Sequence, residues 1–481
     1  MSPAPWQPTS CGPPRRRAIG AWCCSPCRIG ARRGLFTEHW SSHRFPITRA
    51  LPWRKPCASP ATSLDLTRAG AAADSFAPAT GSRGREVTDK RHAEIAGGGF
   101  TGLTLAAALA QRGWSVRVHE RSPEVRAFGA GIWIWENGVR VLDAIGAADE
   151  ALNGCTEAPD WHSWDSRGRP IDSITFGWPY SRVFCLPRQQ LLQAMMAAAE
   201  RAGVEIVTAS EAVAAEPEGR LVTADCKSYS ADLVAACDGV HSKVRDSLDL
   251  VARRHSHVDG AIRLLVPHVA SDYDDNESIR IKEWWRGHRR FLYTPCNREV
   301  FYICLTMPAS DTEATEIPVR KDVWKRTFPH LESIIDRFGD EGRYDRFITT
   351  KLKSWSAGKV AVLGDAAHSM SPGLGQGCGT SIVNALTLAN MIDKKGDVGS
   401  VLREWEARQR PLAEHTQRWS KITWPLIPWP IWCARAYYNL PIGRGWISRQ
   451  RRLPSEHIAY GTEDRTLWMP GGDLASVAPA E

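Results

Sequence analysis

The sequence lacks any apolar run long enough to cross a membrane. A membrane-spanning helix needs ~20 consecutive apolar residues. The longest candidate, WPLIPWPIWCA at 424–434, is shorter and is interrupted by Pro425, Pro428 and Pro430. We therefore predict no membrane span, and we expect a cytoplasmic protein.

The sequence also lacks a cysteine framework. Its 13 cysteines have no regular spacing, and no second pair follows Cys24 and Cys27. Scattered cysteines suit a reducing cytosol. No group of His, Cys and acidic residues has the spacing of metal ligands, so we expect no metal site.

Acidic residues are scarce in the first 90 positions. This segment holds 14 of the 61 lysines and arginines but only 5 of the 53 acidic residues, which leaves 47 basic and 48 acidic residues in 91–481. The formal charge of +8 therefore comes from the segment, and the rest of the chain is nearly neutral. We expect no nucleic-acid partner, because a basic patch elsewhere is not indicated.

The same segment differs in composition from the rest of the chain. It contains 11 of the 31 prolines and has no amphipathic period, so it cannot bury enough apolar surface to fold. The stretch VTDKRHAEIAGGG reads as an ordinary amino terminus that begins at Val87. Three interpretations of residues 1–90 stay open: a mis-called upstream extension, a disordered leader or a targeting peptide.

A dinucleotide-binding fingerprint comes next. Between 93 and 120 the sequence predicts a strand, a GxGxxG turn, a helix and a second strand. Gly97 allows the tight turn, Gly99 lets the backbone approach a pyrophosphate, and Gly102 allows close packing of the helix on the strand. Glu120 is placed to accept hydrogen bonds from a ribose diol, which favours FAD or NAD over NADP.

Three later stretches favour FAD. LPRQQLLQAMMAAAERAGVEI places Arg188 at a helix entrance, and ADLVAACDGVHSKVRDSL runs from a strand into Asp238 and Gly239. In GKVAVLGDAAHSMSPGLGQGCG, a strand leads to Asp365 and then to a glycine-rich loop at 373–377. A carboxylate at a strand end, followed by a helix N-terminus, can hold a polyol and then the carbonyl edge of a ring.

The ordered motifs over roughly 92–420 resemble the single-component flavin aromatic hydroxylases, the para-hydroxybenzoate hydroxylase family. Within that family the stretches AGGGFTGLT, RAFGAGI, IRLLVP, LYTPCN and TTKLKSW are most similar to the ring-opening oxygenases of hydroxypyridine carboxylates. The resemblance begins just before Ile95, so the similar proteins start near Val87. The sequence departs from the family pattern at Gly379, where an Asn is frequent, and at Val383 and Asn384, which replace acidic residues.

The resemblance implies an FAD site with residues from each of these stretches: Gly97, Gly99, Gly102, Glu120, Arg121, Arg188, Asp238, Gly239, Asp365, Gly375, Gln376 and Gly377. In the family, the position of Asp238 also serves the transient pyridine nucleotide, and that of Asp365 holds the ribityl chain. The backbone from Pro372 to Gly377 is expected to face the flavin ring.

The implied chemistry is that of the cofactor. NADH, or NADPH, reduces FAD, and O2 then forms a C4a-hydroperoxide that hydroxylates, or opens, a hydroxylated aromatic ring or a hydroxypyridine carboxylate. The protein must position the ring and exclude water. A flavin-dependent reductase of the same fold and a non-enzymatic flavin-binding protein remain alternatives. A homo-oligomer also remains open.

Residues 289–305 are expected to form two strands that carry substrate contacts. Arg290 and Tyr302 match positions of such contacts in the pyridine oxygenases, and with Pro372 they are the catalytic candidates. A buried Arg suits a carboxylate substrate, because its planar fork pairs with both oxygens. Alternatively, Arg290 is a solvated charge, Tyr302 packs in the core, and Arg263 is the anion clamp.

We therefore predict an α/β fold: a Rossmann-like FAD-binding domain with an inserted mixed β-sheet substrate domain and a C-terminal helical tail. The aromatic residues of the tail are expected to pack on the FAD-binding domain or to form a dimer interface. The predicted segments are an extension at 1–90, FAD-binding parts at 91–160, 186–254 and 351–420, substrate parts at 161–185 and 255–350, and the tail at 421–481.

Overall fold

The structure is a computed structural model, and the residues it describes all lie in one compact unit, Gly84–Glu481. The described residues are 90–127, 129–177, 182–269, 272, 279–392, 396–423, 432–433, 436 and 441–469. The predicted extension, apart from residue 90, lies outside them, as do Trp424, Trp429, Tyr437 and Tyr438 of the aromatic tail.

The strands of the described residues are, in chain order, β1 (His92–Ala96), β2 (Ser115–His119), β3 (Gly131–Trp135), β4 (Thr156–Ala158), β5 (Asp160–Asp165), β6 (Pro170–Thr175), β7 (Val183–Pro187), β8 (Glu205–Val207), β9 (Ala212–Glu216), β10 (Arg220–Thr223), β11 (Ser228–Ser230), β12 (Leu233–Ala236), β13 (Val251–Pro267), β14 (Ile281–Arg286), β15 (Arg289–Pro295), β16 (Val300–Pro308), β17 (Tyr344–Leu352), β18 (Ser356–Ala357) and β19 (Val360–Val362).

The α-helices of the same residues are α1 (Phe100–Ala110), α2 (Glu136–Ala144), α3 (Ala148–Leu152), α4 (Arg188–Arg201), α5 (Lys243–Ser247), α6 (Lys321–Thr327), α7 (Glu332–Ile335), α8 (Asp365–His368), α9 (Gly377–Ile392), α10 (Val398–Thr423) and α11 (Pro441–Arg452).

A six-stranded sheet in the order β18-β19-β12-β1-β2-β8 carries the dinucleotide fingerprint. Its strands are parallel except for the pairing of β18 with β19. In the central strand β1, Ala93, Ile95 and Ala96 are buried in the hydrophobic core, and Glu94 is buried in a pair with His119 at 2.7 Å. Helix α1 packs between α9 and α4, which explains why its residues are apolar all round.

A seven-stranded sheet in the order β17-β13-β16-β15-β14-β5-β6 forms the second large layer. Its strands are antiparallel except for the parallel pairing of β14 with β5, so the sheet is mixed. One face packs on a cluster that includes Phe291, Trp324 and Phe328. The opposite face is therefore free to line a site.

The predicted α/β fold, with an FAD-binding domain of the para-hydroxybenzoate hydroxylase type, mixed sheets and a helical C-terminal region, is confirmed. The strands of the mixed sheet come from 160–175 and 251–352, but the assignment of the chain to separate domains stays a prediction. Among the described residues, no helix is both long and apolar enough to span a membrane.

Candidate active site

The turn between β1 and α1 is tightly packed on one side and open on the other. Gly97 has a φ of +100°, and a Cβ there would collide with the Cys237 carbonyl. A Cβ at Gly102 would collide with the Gly97 carbonyl, so α1 lies close to the strand. At Gly99, by contrast, a Cβ would meet no protein atom within 4 Å. The helix N-terminus therefore faces open space in which an anion would be favoured.

Glu120 follows β2 and is held by backbone hydrogen bonds. Its carboxylate accepts one from the Gly98 N–H, at 3.0 Å, and one from the Ser122 N–H, at 2.9 Å. A carboxylate has about four acceptor positions. The two remaining positions can accept hydrogen bonds from a ribose diol.

A groove of about 630 Å³ runs past this turn. Several predicted cofactor residues from distant parts of the chain line it together: Gly97, Gly99, Glu120, Arg121, Arg188, Asp238, Gly239 and Asp365.

A second cavity, of about 400 Å³, continues from the groove. The two share Gly99, Arg188, Gly239, Arg263 and Asp365 in their walls. The second cavity is also lined by predicted residues of the glycine-rich loop and of the substrate sheet: Arg290, Tyr302, Pro372, Gly375 and Gly377.

Arg188 and Asp365 place opposite charges at the junction of the two cavities. Burial lowers the pKa of Arg188, as does the nearby Arg263. Its Nε has no hydrogen-bond partner among the described residues. Burial raises the pKa of Asp365, and Arg188 opposes that rise. Asp365 is reached by solvent through the cavity, although protein surrounds its other sides.

Asp238 joins the groove to the short helix α5. Its carboxylate accepts hydrogen bonds from the N–H groups of Lys243, at 2.9 Å, and Val244, at 3.3 Å. Burial raises the pKa of Asp238. Gly239 follows with a φ of +85°, and a Cβ there would meet no protein atom within 4 Å. The Asp-Gly turn thus presents bare backbone to the groove.

The glycine-rich loop meets the cavity through its backbone, but Gln376 lies beneath the loop and lines neither cavity. Its Oε1 accepts a hydrogen bond from Asn137 Nδ2 at 3.1 Å. Asn137 also donates to the Pro454 carbonyl at 2.7 Å, and a Cβ at Gly379 would lie 3.0 Å from its Oδ1. The amide of Asn137 therefore adjoins the position where the family often has an Asn.

Asn384, which stands where the family has an acidic residue, binds His368. The Asn384 Nδ2 lies 2.9 Å from His368 Nε2, and both residues are buried. Burial lowers the pKa of His368 to about 4, so the ring is neutral at ordinary pH. A neutral His368 supports the loop after β19 and lies outside the lining of both cavities.

Arg290 lies in the cavity wall but is already paired. Its Nε lies 3.1 Å from Glu283 Oε1, its guanidinium carbon lies 4.0 Å from the centre of the Trp285 ring, and its exposed fraction is 5%. Of the two interpretations, the solvated charge is therefore wrong, because Arg290 is buried in an ion pair. As a carboxylate clamp it would first have to leave Glu283.

Tyr302 and Arg263 interact with each other in the wall of the second cavity. Burial raises the pKa of Tyr302 well above its ordinary value, so its hydroxyl is protonated. Burial works to lower the pKa of Arg263, but Tyr302 and Asp345 help to raise it on balance. A Cβ at Gly131 would overlap the Tyr302 side chain. Gly131, which the sequence did not single out, therefore sets the position of the tyrosine.

Tryptophans and the C-terminal helix close the far end of the cavity. The rings of Trp133 and Trp161 meet edge to face with 5.8 Å between centres. Arg451 of α11 lies with its guanidinium carbon 5.8 Å from the Trp161 ring and pairs with Asp172 at 2.9 Å. Arg451 lines both this cavity and a small neighbouring one of about 40 Å³.

Sequence reasoning missed Glu283, Asn137, Gly131 and Arg451. Glu283 carried one local signal, since it is the one acid in the strand IKEWWR and lies beside two tryptophans. Asn137 and Arg451 carried none, because their partners lie hundreds of positions away. No cluster of His, Cys or acidic residues that could hold a metal occurs in the part of the chain that the structure describes.

The residues around the two cavities fit FAD. The N-terminus of α1 and the unpaired Arg188 Nε suit phosphates, and Glu120 and Asp365 suit hydroxyl groups. The glycine-rich loop and Tyr302 both line the second cavity, which suits a flat ring.

Comparisons with known proteins agree with this fit. A 2-heptyl-3-hydroxy-4(1H)-quinolone synthase of Mycobacteroides abscessus is 41% identical over 329 residues, which cover 68% of this chain and 88% of that protein. A 3-amino-4-hydroxybenzoate 2-monooxygenase of Streptomyces cremeus is 29% identical over 405 residues, covering 80% of this chain and 97% of that protein.

Among solved structures, the tetrameric form of 2-methyl-3-hydroxypyridine-5-carboxylic acid oxygenase is similar at 39% identity. Its TM-score is 0.68, and the match covers 73% of this chain and 96% of that one. The family model described as FAD binding domain matches residues 91–420. The chain therefore belongs to the FAD binding domain family, and it is an FAD-dependent monooxygenase.

Proposed function

We propose that this enzyme uses NADH and O2 to oxygenate a hydroxylated nitrogen-containing or carbocyclic aromatic ring. The observation that carries the proposal is the 400 Å³ cavity, which is lined by the glycine-rich loop together with Trp133, Trp161 and Tyr302. The names of the similar proteins support it, since they specify a quinolone, a hydroxypyridine and an aminohydroxybenzoate.

FAD, when bound, would carry electrons from NADH to O2, by the C4a-hydroperoxide route that the family resemblance implies. The groove would hold its dinucleotide part, with the pyrophosphate at Gly99 and the adenosine ribose at Glu120. Asp365 would bind the ribityl chain and Asp238 would serve FAD and the pyridine nucleotide. Pro372 and the glycines after it would support the flavin ring.

Tyr302 and Arg263 are proposed to orient the ring substrate. A protonated Tyr302 can donate a hydrogen bond to a ring oxygen, and the Arg263 cation favours the ionised form of a ring hydroxyl. An ionised hydroxyl makes the ring richer in electrons and so more reactive towards an electrophilic oxygen. The tryptophan walls exclude water from the reacting atoms.

The arrangement of domains and subunits completes the proposal. The mixed sheet from 161–185 and 255–350 would be the substrate domain, and the active site would lie between it and the FAD-binding parts. The similar hydroxypyridine oxygenase is named as tetrameric, so a homo-oligomer is proposed for this chain as well.

The proposal is tested by following NADH oxidation under air with a panel of quinolones, hydroxypyridine carboxylates and phenolic acids, with products identified by mass. We expect one ring class to accelerate NADH loss and to gain one oxygen atom. A gain of two oxygens with loss of aromatic absorbance would indicate ring opening. A protein that holds FAD and oxidises NADH while no ring gains oxygen would instead be the reductase alternative.

A further inference from the structure

The indole ring of Trp133 in β3 contacts both the glycine-rich loop and the seven-stranded sheet. Its Nε1 donates a hydrogen bond to Thr294 Oγ1 of β15 at 3.1 Å. On the loop side, a Cβ at Gly375 would lie 2.8 Å from Trp133 Cε3, so the indole packs on the loop backbone. Trp133 is half-buried, whereas Thr294 is fully buried. One edge of the ring is therefore held by the sheet while another part touches the loop.

A second contact of β3 with the same sheet lies two residues earlier. Positions 131 and 133 are on the same side of β3, since side chains alternate along a strand. Thr294 and Tyr302 are direct partners in the register of β15 and β16, so their side chains share one face of the sheet. Tyr302 occupies the space that a Cβ at Gly131 would need. The Gly131–Tyr302 and Trp133–Thr294 contacts together set how β3 lies on the sheet.

Thr294 itself lies outside the cavities. It is absent from the lining of the groove, of the second cavity and of the small cavity beside it. Trp133, by contrast, lines both the second cavity and the small one, and its ring meets Trp161 edge to face. An indole N–H that loses its acceptor in the protein interior is costly, so the hydrogen bond favours one orientation of the ring. Any effect of Thr294 on a bound substrate must therefore pass through Trp133.

We propose that Thr294 is a positioning residue that acts through Trp133, fixing the indole plane against which the ring substrate packs beside the glycine-rich loop. This inference rests on the proposed function and adds a residue that decides how completely NADH oxidation ends in oxygenation. Aromatic rings prefer offset-stacked or edge-to-face contacts, so the plane of Trp133 limits the orientations open to a substrate ring. A misplacement of about 1 Å at the reacting atoms can slow a reaction about a hundredfold.

The consequence of poor positioning is a change of product. In a hydroxylation with the ring well placed, NADH, a proton and O2 convert one ring C–H into C–OH, and the second oxygen atom leaves as water. With the ring misplaced, the same two electrons and two protons reduce O2 to hydrogen peroxide, and the ring is unchanged. Both routes consume one O2 for each NADH. The amount of oxygenated ring formed per NADH therefore measures the position of the ring separately from the rate.

The test compares Thr294→Val with Thr294→Ser in the FAD-loaded enzyme. Valine keeps the shape of the side chain but removes the acceptor, whereas serine keeps the hydroxyl. The probes are a 2-alkyl-4(1H)-quinolone, 2-methyl-3-hydroxypyridine-5-carboxylate and 3-amino-4-hydroxybenzoate. We expect Thr294→Val to lower the oxygenated ring per NADH by about tenfold, with a matching rise in hydrogen peroxide, as for the loss of one interior hydrogen bond. Thr294→Ser should retain the ratio of the unsubstituted enzyme.

Two binding measurements separate positioning from a general loss of structure. Titration of the apoprotein with FAD should give the same affinity for Thr294→Val as for the unsubstituted protein, because Thr294 lines neither large cavity. The change in the flavin absorbance spectrum on ring binding should differ in shape, because the bound ring is oriented differently.

A double substitution and a matched control complete the test. In Trp133→Phe, which lacks the indole N–H, Thr294→Val should have no further effect on the ratio. The control is Thr327→Val, since Thr327 is a buried threonine whose hydroxyl accepts a hydrogen bond from Arg289 Nη1 at 2.7 Å. It lines neither large cavity, so its loss should leave the ratio unchanged.

The positioning role and the proposed function fail in different ways. If the ring is oxygenated and Thr294→Val has the normal ratio, or Thr327→Val lowers it equally, the positioning role is wrong. An additional fall on combining Thr294→Val with Trp133→Phe would show that the hydroxyl does not act through the indole. If Thr294→Val does not hold FAD, an unchanged ratio in Trp133→Phe alone overturns the proposal. If no probe alters the flavin spectrum or gains oxygen in the unsubstituted enzyme, the proposed function is wrong and the positioning role with it.

Discussion

At the scale of single residues, the site depends on its glycines as much as on its charged side chains. Gly97 and Gly102 are constrained by protein atoms, whereas Gly99 faces open space next to the N-terminus of α1. The two kinds of glycine therefore give opposite expectations for substitution. We expect Gly97 and Gly102 to be needed for the fold and Gly99 to be needed for the cofactor.

We expect Gly99→Val to fold normally but to weaken FAD binding by at least about tenfold, because its side chain would fill the space of the pyrophosphate. The melting temperature of the apoprotein should be unchanged, since Gly99 has an extended backbone with a φ of −85°. The comparison variant is Gly97→Ala, which should destabilise the apoprotein itself. Normal FAD affinity in Gly99→Val would show that the cofactor does not approach this turn.

His368 makes stability depend on pH. Its folded-state pKa is about 4, below the ordinary 6.5 of the unfolded chain. Its contribution is therefore fully present above pH 6.5 and is lost as the pH falls towards 4, by roughly 3 kcal/mol. We expect His368→Gln to be less stable than the unsubstituted protein at pH 7 and the difference in melting temperature to narrow by pH 4.5. A difference in melting temperature that is the same at pH 7 and at pH 4.5 would show that His368 is not held neutral.

These residues also show how much the sequence alone can predict. Gly97, Gly99, Gly102 and Glu120 were found because their spacing is local and fixed by one strand-turn-helix unit. Glu283 was not found, because its importance depends on a cavity built by other strands. Arg290 was predicted as a contact, but its neutralising partner was invisible without the sheet register.

At the scale of elements, the most informative piece is the C-terminal helix α11. The sequence predicted an aromatic helical tail that packs on the FAD-binding domain or on another subunit. In the structure Tyr460 and Trp468 of the tail pack against the core of the FAD-binding part, and Arg451 of α11 also enters the wall of the second cavity, beside Trp161. The position of Arg451 could not be predicted from the local sequence, because its partners at 161–172 lie nearly three hundred positions away along the chain.

Arg451→Ala should therefore act on the substrate and not on the cofactor. We expect the substrate KM to rise by about tenfold, as for the loss of one buried charged contact, with FAD affinity unchanged. Arg449→Ala, exposed on the same helix, is the control and should have no effect. An equal effect of the two substitutions, or loss of FAD from Arg451→Ala alone, would contradict a role of α11 in the substrate wall.

At the scale of the whole molecule, the fold was predictable because each layer has a local signature. The apolar parallel strands, the glycine turn and the hairpin around 296–298 indicate an α/β fold with an inserted sheet. The path that joins the groove to the second cavity was not predictable, since it depends on how two sheets meet. Residues 1–89 lie outside the described residues, so the interpretations of this segment stay predictions from the sequence.

A protein that begins at Val87 should behave as the full chain does. The first described strand begins at His92 and the family match begins at residue 91. We expect the same FAD content, melting temperature and NADH oxidation from residues 87–481 as from 1–481. A loss of FAD or of several degrees in melting temperature would assign a structural role to the first 86 residues.

The central claim is that this enzyme inserts oxygen from O2 into an aromatic ring that binds in the second cavity. The most direct measurement is turnover with NADH and a stimulating ring under oxygen gas enriched in the heavy isotope, with mass analysis of the product. We expect one heavy oxygen atom in the product when the ring is hydroxylated and two oxygens if it opens, at least one of them heavy. A product without heavy oxygen, or hydrogen peroxide formed with the ring unchanged, would contradict the claim.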